Sequence, residues 1–131
     1  MVERISPELV VDLDGHKVTL CGTLAVLKKL QIVYDCDIVQ FQEKIIEARF
    51  DVLAQMFEIC ANSPEVKAAD FEAWILDHCG IDEAKYILIE FWIISVSPQK
   101  KRENNREMIQ GKIANLRKAA AFLGESTERF A

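Results

Sequence analysis

The chain has 131 residues, half of them hydrophobic and 28% charged. That length suits one domain, and that balance excludes a chain disordered throughout. The net charge of -5 is unevenly placed: up to Pro98 there are 17 acidic and 8 basic side chains, and from Gln99 onward 4 acidic and 8 basic, so an acidic body carries a basic tail.

The first element in chain order is a hairpin. Leu9 to Leu13 and His16 to Leu20 flank Asp14-Gly15, a pair that accepts the positive φ angles of a tight two-residue turn. This turn pairs Leu13 with His16, Val11 with Val18 and Leu9 with Leu20 on one apolar face. It pairs Asp12 with Lys17 and Val10 with Thr19 on the other, polar face. A lone hairpin is marginal in water, so the apolar face must dock on something.

Thr23 is placed to cap a short helix from Leu24 to about Tyr34. Asp37 is placed to cap a long helix, Ile38 to about Ala61. There Phe41, Ile45, Ala48, Val52, Met56 and Ile59 recur at helical spacing, widened by Ile46, Phe50, Leu53 and Phe57. Asn62-Ser63-Pro64 breaks the pattern. A short helix follows, about Ala69 to His78, with Phe71, Trp74 and Ile75 inward and Gly80 at its end. Asp82 is read as the cap of a helix from Glu83 to about Val96, apolar nearly all round and so central to the core. Its β-branched residues leave a strand open as the alternative. After Pro98 and the charged stretch Gln99 to Arg106, a last helix runs from Met108 to Leu123, with Ile109, Ile113, Leu116, Ala120 and Leu123 along one side. The expected fold is mainly α: an N-terminal β-hairpin, then about five helices in an irregular bundle. Residues 1–98 form the hairpin and helical core, and residues 99–131 a basic C-terminal helix or tail.

Reactive chemistry finds little support in the spacing. The start shows no secretory pattern, and the most apolar stretch, Tyr86 to Val96, is far shorter than the ~20 residues of a spanning helix. The cytoplasm is therefore the expected site of action, without membrane contact. Cys21, Cys36, Cys60 and Cys79 form no CxxC pair and are expected as free thiols. Neighbouring His78 and Cys79 point apart on a helix, so no metal set closes. No phosphate-cradling glycine loop occurs, and Asp14, Asp37 and Asp82 have structural work in a turn and at caps. No catalytic, metal-binding or cofactor-binding residue is assigned, and no cofactor is expected.

Two features point to binding. Apolar surface exceeds what one small core needs, and Phe91 and Trp92, adjacent on one helix, cannot both face the same core. One of them is a candidate protein-binding anchor, for a client or for a second copy in a homo-oligomer. Lys100, Lys101, Arg102 and Arg106 form a candidate basic patch, whose partner is nucleic acid or an acidic surface. No aromatic lies inside that run and the whole chain is acidic, which weighs against nucleic acid.

The order of elements resembles a family. A hairpin around the Asp-Gly turn, Val11-Asp12-Leu13-Asp14-Gly15-His16-Lys17-Val18-Thr19-Leu20, leads through Gly22-Thr23-Leu24 into a helix. Amphipathic helices follow, among them Asp70-Phe71-Glu72-Ala73-Trp74-Ile75-Leu76 before a glycine. Over roughly Val10 to Val96 this is similar to the small tail assembly chaperones of long-tailed phages, prophages and gene-transfer agents. The likeness implies a non-enzymatic role: keeping the long tape-measure protein soluble and helping tail-tube subunits polymerise around it. The basic tail has no counterpart in that pattern. The alternatives are a nucleic-acid-associated regulator using the C-terminal helix, and a small enzyme whose Cys, His and Asp residues converge in space.

Overall fold

The structure is a computed structural model. It describes residues 6–98 and, beyond them, Glu107, Met108, Gln110, Gly111, Ala114 and Asn115. Two antiparallel strands, β1 (Glu8–Leu13) and β2 (His16–Cys21), are followed by α1 (Leu24–Val33), α2 (Gln40–Glu47), α3 (Phe50–Ala61), α4 (Ala68–Trp74) and α5 (Ile81–Val96). A π-helical turn, Ile75–Cys79, continues α4. The protein is mostly helical, with the expected hairpin in front.

The hairpin register is the one read from the turn, with Glu8 opposite Cys21 as one further pair. Asp14 and Gly15 take φ values of 53° and 93°, and the Asp12 carboxylate accepts a hydrogen bond from Gly15 N–H at 2.7 Å. Val11, Val18 and Leu20 are buried, as the one-face pattern requires, and β2 lies against α3. At the exit, Gly22 N–H donates to the Pro7 carbonyl at 2.9 Å. A Cβ on Gly22 would overlap Ser95 Oγ of α5, so only glycine lets the hairpin cross α5 this closely.

Helix starts are largely legible in side-chain chemistry. Thr23 Oγ1 accepts from Val26 N–H at 3.2 Å. Asp37 and Gln40 form a reciprocal box: Asp37 Oδ1 accepts from Gln40 N–H at 2.8 Å, and Gln40 Oε1 accepts from Asp37 N–H at 3.1 Å. At α4, the Asp70 carboxylate accepts from Lys67 N–H at 2.9 Å. The expectation for α5 is corrected. Gly80, at φ 86°, is the cap, its carbonyl accepting from Ala84 N–H at 3.1 Å. Asp82 sits inside the first turn, where its charge complements the helix dipole. Residues 81–96 are helix, which settles the strand alternative.

The long helix expected from Ile38 to Ala61 is two helices. Ala48 and Arg49 are extended, with ψ of 138° and 164°, and separate α2 from α3. The reason is a slip in the apolar phase. Phe41, Ile45 and Ala48 are buried, and one unbroken helix would next turn Val52 inward. Instead Leu53, Met56, Phe57 and Cys60 are buried and Val52 is only partly buried. Each helix thereby meets its own aromatic set. Phe41 of α2 packs on Trp92 with ring centres 4.3 Å apart, while Phe57 of α3 stacks on Phe71 at 5.3 Å and meets Trp74 edge-on at 5.4 Å. The Glu58 carboxylate accepts a hydrogen bond from Ala68 N–H, closing the loop between α3 and α4.

Candidate functional site: a cleft beside the hairpin tip

Phe91 and Trp92, the candidate anchors, are both in the core, at 1% and 0% exposure. Trp92 Nε1–H donates to the Ile38 carbonyl at 2.9 Å, and its ring lies on Phe41. The sequence argument assumed one core-facing side of this helix. Instead α5 is covered on several sides, by α2, α3 and the π-helical turn, and Ser95 meets the hairpin exit. Adjacent residues can then both be buried. Lys100, Lys101, Arg102 and Arg106 lie outside the described residues.

Exposed apolar side chains lie elsewhere. Ile32 and Val39 are 79% and 77% exposed, with Val33 and Ile38 beside them in sequence at the corner between α1 and α2. Val10 is exposed on the outer face of β1.

A concavity lies between the hairpin tip and α4. Its volume is about 490 Å³, and its walls come from three stretches. The turn brings Leu13, Asp14 and His16; the loop before α4 brings Glu65 and Val66; α4 and the π-helical turn bring the rest. Ala69, Asp70, Ala73, Trp74, Asp77 and His78 recur at spacings of three and four, so they form one helical face. Leu13, Val66 and Trp74 supply an apolar floor. Asp14, Glu65, Asp70 and Asp77 supply carboxylates, and among the described residues no lysine or arginine lines the cleft. Both histidines of the chain are here, and His78 Nε2 lies 3.7 Å from Asp14 Oδ2.

Ala69 and Ala73 are exposed and stand one turn apart. With no bulk beyond Cβ, they leave the α4 surface low, so another helix could approach closely. The arrangement thus combines a low apolar strip with an acidic rim. Among the described residues, no group of three or more His, Cys, Asp and Glu side chains could hold a metal ion.

Cys21, Cys36 and Cys60 show no activation. Burial pushes the Cys60 thiol far up, with a smaller contribution from Cys21. Burial also raises Cys21, helped by the charge of Glu8. Cys36 is raised by burial, against the lowering effect of Lys44. Nucleophilic cysteines need the opposite shift. Among the described residues no helix is long and apolar enough to cross a membrane.

Sequence reasoning missed the cleft as a unit. It read Asp14 as a turn residue, His16 as the partner of Leu13 in the hairpin and His78 as the end of a short helix, each from its neighbours. The available signal was the exposed face of α4, with Ala69, Asp70, Ala73 and Asp77 at helical spacing. Comparisons with protein-family models, with curated proteins and with solved structures found no match.

Proposed function

We propose that this is a non-enzymatic assembly chaperone that holds an amphipathic helix of a client in the cleft beside the hairpin tip. The client we assign is the tape-measure protein of a long-tailed phage or prophage, with tail-tube subunits as the further partner. The observation that carries the binding mode is the cleft: an apolar strip over Ala69, Ala73 and Trp74, rimmed by four carboxylates. Helix-in-groove recognition uses such a low apolar strip for the client's apolar face, with charged rims to fix its orientation. The family assignment is supported by the order of hairpin, Gly22-Thr23-Leu24 and amphipathic helices.

Co-expression with the tape-measure and tail-tube proteins of the same phage tests the reading. The expected result is a soluble complex with the tape-measure protein, lost on Ala73→Phe, which fills the cleft from an exposed position. Tape-measure protein that stays insoluble, or a complex that Ala73→Phe leaves intact, would count against it.

A further inference from the structure

A second, smaller groove of about 250 Å³ runs beside β1. It is lined by Leu9, Val10, Val11 and Asp12 from the strand, Trp74 from α4, and Ile87 and Glu90 from α5. Trp74 lines both this groove and the acidic cleft, so the two are neighbours and together make a path. One end of the path already carries a contact from the C-terminal segment: Gln110 Nε2–H donates to Glu90 Oε1 at 3.3 Å.

The chemistry of that segment fits the path. The described residues from Glu107 to Asn115 are helical. In the sequence Ile109, Ile113 and Leu116 recur at spacings of four and three, an apolar stripe that suits the apolar groove. Lys112, Arg117 and Lys118 supply cations, whereas the groove and cleft together present six carboxylates, counting Asp12 and Glu90, and no lysine or arginine among the described residues.

We propose that the basic C-terminal segment is a built-in occupant of this path, lying along the β1 groove with Arg117 and Lys118 at the acidic cleft, and that a client helix displaces it. The proposal rests on the cleft being a helix-docking site and is independent of the client's identity.

The test uses the full-length 15N-labelled protein, with the two tryptophan indole resonances assigned through Trp74→Phe. The triple variant Lys112→Gln, Arg117→Gln, Lys118→Gln removes the cations. Lys28→Gln, Lys29→Gln, Lys44→Gln removes equal charge from α1 and α2 and serves as control. The Trp74 resonance should move in the tail variant but not in the control, with Trp92 unmoved in both. The shift should not depend on protein concentration. A synthetic Leu/Lys amphipathic helical peptide should bind the tail variant at least threefold more tightly than the control. An unmoved Trp74 resonance with unchanged peptide affinity would overturn the built-in occupant, while peptide binding itself would leave the client site standing. A Trp74 shift without any peptide binding would support the occupant and count against the client reading.

Discussion

Gly22→Ala probes the contact that sets the hairpin against α5, and with it the position of the hairpin tip over α4. The added methyl would overlap Ser95 Oγ and come within 3.0 Å of both Ser95 Cβ and Pro7 Cγ. Ser95 has little room to yield: it is 3% exposed, and its hydroxyl donates to the Phe91 carbonyl at 2.6 Å. Overpacking of this kind costs about 1–3 kcal/mol. For a chain of this length the unfolding entropy is about 0.28 kcal/mol per kelvin, so about 2 kcal/mol lowers the melting temperature by about 7 °C. Ser95→Ala removes the closest atom and leaves the 3.0 Å neighbours. The double variant should therefore recover more than half of the loss, a coupling of about 1 kcal/mol in a double-mutant cycle. Thermal and urea melts followed by circular dichroism give all four corners. Strictly additive single effects, or a Gly22→Ala melt equal to the parent's, would refute the close crossing.

Three further outcomes follow from the packing. Phe91→Ala and Trp92→Ala should each cost about 3–5 kcal/mol, because both side chains are buried; a variant that keeps the parent's urea midpoint while losing association would restore the surface-anchor reading. Tyr34, whose hydroxyl donates to Gln55 Oε1 at 3.2 Å, has its phenol pushed up to about 12 by burial first, then by the charges of Cys60 and Glu58. The folded state then keeps a proton that the unfolded chain releases near 10, so this stabilisation is complete below pH 10 and is lost as pH rises toward about 12. Tyr34→Phe should flatten that alkaline decline in urea melts, and an unchanged slope would exclude the burial effect. At pH 8, iodoacetamide should label Cys60 last, and only on unfolding, since its thiol is fully buried and its ionisation suppressed. Native-state labelling of Cys60 as fast as Cys21 would contradict the packing of α3.

Local chemistry made some parts of this fold readable in the sequence. The hairpin register followed from two residues, because Asp14-Gly15 admits one turn and the alternation around it admits one face. Thr23 was readable for the same reason, since a cap is a contact within four residues; Asp37 instead bonds Gln40 in the turn ahead of α2, whose cap is Val39. The break at Ala48-Arg49 was not readable, as neither residue is a glycine or proline and the apolar spacing runs on through it. It depends on where Trp92 and Phe71 lie, and those arrive from distant parts of the chain. Gly22 reads from sequence as a linker residue, and only Ser95, far along the chain, explains it. The cleft is a long-range product in the same sense, since the hairpin tip and α4 meet only through the intervening packing.

That distinction orders the functional argument. No single residue of the cleft has an unusual neighbourhood in sequence, and the site exists as a face: two alanines one turn apart, a tryptophan floor and carboxylates around them. Surplus apolar surface suggested binding, yet the two aromatics chosen to represent it are buried. The exposed corner at Ile32 and Val39 is a competing apolar surface, with Asp35 and Asp37 exposed beside it.

Calorimetric titration of a Leu/Lys amphipathic helical peptide, followed by amide-exchange mapping of the complex, tests the central claim most directly. Binding should weaken with Asp70→Asn and Asp77→Asn, disappear with Ala73→Phe, and protect α4 and the hairpin tip. Equal affinity for Ala73→Phe, or protection confined to the corner between α1 and α2, would contradict it.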